Sequence, residues 1–119
     1  MDHKIVHVEL TAKDRLALSK FYADVFGWEI EHIDAMNYST FKAGDGVGGG
    51  FNPVTAENPV GTVTIYIETD DVPASLKAVE KAGGSIISPE MDIPNTGTFG
   101  LFRDSQGNLI GLFKPSPMA

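Results

Sequence analysis

The sequence predicts an α+β fold built from two tandem βαβββ modules, and three observations carry that prediction. Segments around Val6 and Val63 alternate apolar and polar residues, each is followed by a helical pattern closed by glycine, and the two copies match at a fixed offset. Asp14 aligns with Asp71, Ala17 with Ala74, Lys20 with Lys77, Gly27 with Gly84 and Ile30 with Ile87, each pair 57 positions apart. Two copies at so long a period mark a duplicated supersecondary unit rather than a solenoid. The whole chain reads as one domain, with a first module over about 1–52 and a second over about 60–116.

In the first copy, residues 5–11 place Val6, Val8 and Leu10 on one face and His7, Glu9 and Thr11 on the other, the period-two signature of a strand. Asp14 is the expected N-cap of a helix whose apolar stripe is Leu18, Phe21, Tyr22 and Val25 and which stops at Gly27. Strands are expected near Trp28–Ile33 and Tyr38–Ala43, followed by a glycine-rich run from Gly44 to Gly50 that ends in Phe51. Asn52 to Pro59, with two prolines, reads as the linker between modules.

The second copy opens with Thr62–Thr69, where Val63, Ile65 and Ile67 oppose Thr64, Tyr66 and Glu68. Asp71 caps the next helix, Pro73 fits its first turn, Leu76 and Val79 form the buried stripe, and Gly83-Gly84 closes it. Short strands are expected at Ser85–Ile87, Thr98–Arg103 and Leu109–Lys114, the last two joined by a hairpin turn over Asp104–Asn108. Each sheet then has one apolar face for its helix and one mixed polar face, and function belongs on the polar faces.

Composition narrows the function. The chain has 119 residues, 42% of them hydrophobic and 21% charged, so it can bury a modest core. A net charge of −7 and a pI near 4.7 argue against nucleic acid and anionic membranes, which need a basic footprint. Cysteine is absent, which removes disulfides, thiolate catalysis and zinc–thiolate sites. No apolar stretch suggests export or membrane spanning, so the expectation is a cytoplasmic protein.

The chain resembles the vicinal oxygen chelate superfamily of glyoxalases, bleomycin-resistance proteins and extradiol dioxygenases. The resemblance rests on His7 ahead of Asp14, Phe21-Tyr22 with Val25-Phe26-Gly27-Trp28, Thr69-Asp70-Asp71-Val72, Gly83-Gly84, and the run from Asp104 to Gly111. It implies two βαβββ modules forming a curved mixed sheet around a cleft that takes small molecules, often in a homodimer. Metal-dependent members hold one divalent ion with a side chain from the first and last strand of each module. The corresponding positions here are His7, Thr64, Gly50 and Gly111. Three of the four carry no metal-ligating side chain, whereas metal sites want several carboxylate, imidazole or other donors. The pattern is similar to a ligand-poor glyoxalase-like subgroup ending in Gly-Asn-x-x-Gly-Leu-Phe, here Gly107 to Phe113.

The main expectation is therefore a cleft without a metal cofactor, binding or sequestering a small organic compound. Gly50, Phe51, Thr64, Tyr66, Glu68 and Gly111 are its expected lining, with His7 or Glu9 as general base should it turn over a substrate. The alternative is a lyase, isomerase or dioxygenase whose divalent metal is held by His7, Glu9 and Glu68, since His7 and Glu9 share one strand face. The plain readings stand beside these: Glu9 and Glu68 as wet-face polar residues, and His7 as a hydrogen-bonded lining residue. A third possibility is a vestigial cleft in a protein-interaction domain.

Other signals are weaker. Gly44-Asp45-Gly46-Val47-Gly48-Gly49 matches the dinucleotide fingerprint in spelling, yet Gly50 and Pro53 forbid the helix that would receive a pyrophosphate. Most aromatic residues, Trp28, Tyr38, Phe41, Phe99 and Phe102 among them, are expected in the core. Arg103 is read as a ligand-carboxylate clamp or as a solvated partner of Asp104.

Overall fold

A computed structural model describes residues 1–117. Among these, eight strands and two α-helices follow the predicted order: β1 (Ile5–Ala12), α1 (Arg15–Phe26), β2 (Glu29–Ile33), β3 (Tyr38–Lys42), β4 (Gly49–Pro53), β5 (Val63–Glu68), α2 (Val72–Lys81), β6 (Ser85–Ile93), β7 (Gly97–Arg103) and β8 (Leu109–Pro115). Contacts divide the chain into two compact units, His7–Thr64 and Met1–Val6 with the chain from Ile65 onward. The fold is α+β with mixed pairing, and each copy is a βαβββ module.

In the first module the strands run in the order β2-β3-β4-β1, antiparallel except for the parallel pair β1 and β4. Asp14 caps α1 by accepting a hydrogen bond from the Ala17 amide at 3.1 Å, and Gly27 closes it at φ 72°, a conformation that favours glycine. The face of α1 turned to the sheet is not the expected one. Leu18 and Tyr22 do pack inward, but Phe21 and Val25 are 55% and 56% exposed, and Arg15 and Ser19 take the inward places. The cause is polar: the Arg15 guanidinium donates to Ser39 Oγ at 2.9 Å, to Asn37 Oδ1 at 3.2 Å and to Asp34 at 2.7 Å, and Ser19 Oγ donates to the Arg15 carbonyl. Satisfying a half-buried cation and the fully buried Ser39 outweighs burying two more apolar side chains. The core is a run of rings, Tyr22 stacked on Trp28 at 4.8 Å, Trp28 on Phe41 at 4.4 Å, and Phe41 against Phe51 at 5.2 Å.

The second module repeats the plan in the order β5-β8-β7-β6, with β5 and β8 parallel. Asp71 accepts from the Ala74 amide at 3.0 Å and Pro73 lies in the first turn of α2. Val72 and Leu76 of α2 pack with Phe102 and Leu112, flanked by Ile67, Val79, Ile86 and Ile110. The Asp104–Asn108 turn forms as expected: the Asp104 carboxylate accepts from the amides of Gln106 and Asn108. Strand β6 is longer than the short strand expected at 85–87, because an edge strand tolerates Pro89 by shifting register on either side of Ser88. Strand β4 also runs past the expected linker boundary, so Asn52 and Pro53 are strand residues. Among the described residues no helix is long and apolar enough to cross a membrane.

Candidate functional site

Parallel pairing of β1 with β4 sets Glu9 opposite Gly50 and Thr11 opposite Asn52, while β3 sets Thr40 opposite Gly50. Alternation then gathers His7, Glu9, Thr11, Tyr38, Thr40, Gly50 and Asn52 on the sheet face away from α1. The same rule sends Phe51 to the other face. Expected as a wall beside Gly50, Phe51 is instead fully buried in the helix-side core, 5.7 Å from Tyr22. Adjacent strand residues cannot share a wall.

Tyr38 is the hub of this polar face. Its hydroxyl lies 2.7 Å from His7 Nε2 and donates to Glu9 Oε2 at 2.9 Å, while Asn52 Nδ2 donates to Glu9 Oε1 at 3.1 Å. Both oxygens of the Glu9 side chain therefore accept. The Tyr38 proton is committed to Glu9, so the His7–Tyr38 bond requires the hydrogen on Nε2, which assigns the imidazole tautomer through the network. Burial pushes the His7 pKa below its usual 6.5, so the ring is neutral at pH 7. The rings of His7 and Tyr38 lie 6.3 Å apart at 22°.

Gly50 has a steric reason to be glycine: a Cβ there would fall inside the Tyr38 phenol. The second unit repeats the arrangement, for Gly111 pairs with Tyr66 and a Cβ at Gly111 would fall inside the Tyr66 ring. Tyr66 is itself buried, and Thr64 is buried too. Glu68 is half-buried and uses its backbone, donating from its amide to the Lys4 carbonyl at 2.8 Å and accepting from the His3 ring at 3.0 Å. Among the described residues no group of three or more His, Asp or Glu side chains is close enough to hold a metal ion. The residues at the family's ligand positions therefore do not fit a divalent ion.

The glycine-rich run leads into β4 and opens no helix, in line with its dismissal as a dinucleotide fingerprint. Arg103 braces the β7–β8 turn by donating to the Gly107 carbonyl at 3.0 Å. Two residues of the network were absent from the expected site. The sequence pattern places Tyr38 in the core and Asn52 in the linker. Continuing the strand alternation two positions past Gly50 would have found Asn52; Tyr38 depends on a pairing 31 positions away from His7.

Two βαβββ modules whose opening strands carry the polar side chains define a glyoxalase-type architecture. A model of the Glyoxalase/Bleomycin resistance protein/Dioxygenase superfamily matches residues 4–112, and the chain belongs to that superfamily. It is 37% identical over 112 residues to CFP32 of Mycobacterium bovis, whose name marks it provisionally as a glyoxylase. That match takes in 91% of this chain and 42% of the relative, so the chain spans less than half the length of that protein. A glyoxylase-like domain-containing protein of Didymella fabae is 32% identical, with 88% of each chain covered. Among solved structures, the Mn(II)-bound glyoxalase of Novosphingobium aromaticivorans superposes with a TM-score of 0.68 at 27% identity, covering 94% of this chain and 38% of that one.

Proposed function

We propose that this chain binds a small organic compound on the polar face of its first module, without a divalent metal. The observation that carries the reading is the pair of tyrosine-covered glycines: Tyr38 over Gly50 and Tyr66 over Gly111 stand where metal-binding relatives would project ligands. His7 and Glu9, the remaining donors of the first module, are engaged with Tyr38. Half-buried aromatic rings beside convergent polar groups suit an organic guest. The same groups serve binding alone or proton transfer, since imidazole and carboxylate side chains are the usual general bases. Turnover of a bound compound separates sequestration from catalysis.

The second reading, a metal-dependent lyase, isomerase or dioxygenase using His7, Glu9 and Glu68, draws support from the likeness to the Mn(II)-bound glyoxalase. Metal analysis of untagged protein purified without chelators, run beside a thermal-shift screen of small organic compounds, decides between them. Metal below a tenth of an equivalent with stabilisation by organic compounds is expected, because a ligand selective for the folded state raises its stability. Stoichiometric manganese, zinc, nickel or iron that is lost on His7→Ala would overturn the proposal. A homodimer and a cytoplasmic location belong to the same proposal; sedimentation of the untagged protein and fractionation of the source cells test them.

A further inference from the structure

The second unit holds a cavity of about 260 Å³ at the end of its sheet, where β6 turns into β7. Strand alternation explains what lines it. Ile110 and Leu112 of β8 pack on the α2 side of the sheet, and two positions further the same face carries Lys114. The register sets Lys114 opposite Thr98 and Thr98 opposite Asp92, so a cation and a carboxylate stand on one face with one strand between them. Thr98 Oγ1 donates to Glu90 Oε2 at 2.8 Å, which fixes a second carboxylate on the β6 side. The frame is tied by backbone: the Thr96 amide donates to the Ile93 carbonyl at 3.0 Å, and the Ser116 amide donates to the Thr96 carbonyl at 2.8 Å. Gly97 passes so close to the Lys114 carbonyl that a Cβ would collide with it. Among the described residues Lys114 forms no ion pair with Glu90 or Asp92, so the opposite charges line the cavity without neutralising each other.

We infer that this cavity binds a small zwitterion, its ammonium group toward Glu90 and Asp92 and its carboxylate toward Lys114. The charge pattern selects that class. A bare anion would meet two carboxylates, and a bare cation would meet Lys114. A hard divalent ion wants six or more oxygens, and among the described residues no group of three metal-ligating side chains converges. Size and spacing narrow the class further. The volume falls just under the roughly 300–1,000 Å³ of drug-sized sites, so the guest has few carbons. Neighbouring strands lie about 4.7–4.9 Å apart, which puts the Asp92 and Lys114 backbones roughly 9–10 Å apart. An α-amino acid carries both charges on one carbon and reaches one side at a time. A short ω-amino acid carries them at opposite ends and reaches both.

The test titrates 4-aminobutyrate, butylamine, butyrate and calcium separately into the untagged protein while backbone amide NMR signals are followed. 4-Aminobutyrate is expected to shift Asp92, Thr98 and Lys114 and to bind about fivefold more tightly than butylamine or butyrate, each of which lacks one of the two ion pairs. Salt at about 0.5 M should erase most of that preference by screening. Lys114→Met should bring 4-aminobutyrate down to the level of butylamine, and the double variant Glu90→Gln with Asp92→Asn should bring it down to that of butyrate. All three side chains are exposed, so the variants should keep the fold, and the wild-type comparison stands even if one is lost.

Equal binding of 4-aminobutyrate and either one-ended probe, larger shifts with calcium, a preference that survives salt or the substitutions, or unmoved Asp92 and Lys114 signals with all four probes would each overturn the site. The outcome is independent of the first module. Movement of His7 and Tyr38 signals with organic compounds bears on the proposed function alone.

Discussion

Tyr38 lies over Gly50 so closely that the glycine cannot gain a side chain without displacing the phenol that links His7 to Glu9. One residue thus fills the space over Gly50 and organises the polar network.

Tyr38→Phe keeps the ring and removes the hydroxyl. Glu9 Oε2 and His7 Nε2 both lose a partner, and urea unfolding should report a loss of about 1–3 kcal/mol. Binding of organic compounds should weaken as well. Unchanged stability and binding would show the hydroxyl to be incidental.

Alanine at the two glycines separates tolerance from collision. At Gly50 the obstructing atoms are the far end of the Tyr38 ring, which can swing away by giving up its hydrogen bonds. At Gly111 they include the root of the Tyr66 ring, which cannot. Gly111→Ala should therefore cost more than Gly50→Ala, the former at the upper end of the roughly 1–3 kcal/mol typical of overpacking. Adding Tyr38→Ala should relieve Gly50→Ala in a double-mutant cycle and leave Gly111→Ala unrelieved.

His7 makes stability depend on pH with a definite sign. Its folded pKa lies below the ordinary 6.5 because burial opposes the charged ring, so the unfolded chain binds the extra proton first. The contribution is fully present above about pH 6.5 and declines as pH falls from there toward the lower folded value. Unfolding free energies measured from pH 8 to pH 5 should fall more steeply for the wild type than for His7→Gln. Asp34, held below 3.8 by its hydrogen bond and attraction to Arg15, acts in the same direction but only in the more acidic range, which keeps the two separable.

Arg15 spans three acceptors from the inward side of α1, and its side chain is 13% exposed. Arg15→Met should destabilise by about 2–3 kcal/mol because the buried Ser39 hydroxyl loses its donor. Lysine is expected to restore little, since an ammonium cannot present the guanidinium fork. Thermal or urea unfolding of both variants checks this.

The modules were legible because their signals are local. Alternation on β1 and β5, the aspartate caps and the Gly107 turn each depend on residues within one element. The facing of α1 was not, since stripes through Leu18, Phe21, Tyr22 and Val25 or through Arg15, Leu18, Ser19 and Tyr22 share two members, and only contact with Ser39 and Asp34 selects the second. The full length of β6 was hidden by Pro89, which reads as a breaker until its edge position is known. The site was half legible: His7 and Glu9 follow from one strand, whereas Tyr38 and Asn52 join them through register set over tens of residues.

Strand β6 carries one more consequence. Among the described residues its outer side faces no neighbouring strand, yet Pro89 withholds an amide and the offsets around Ser88 break the spacing an incoming strand would have to match. A stray peptide finds no continuous ladder to extend there, which guards that border of the second module against fibre-like stacking in a crowded solution.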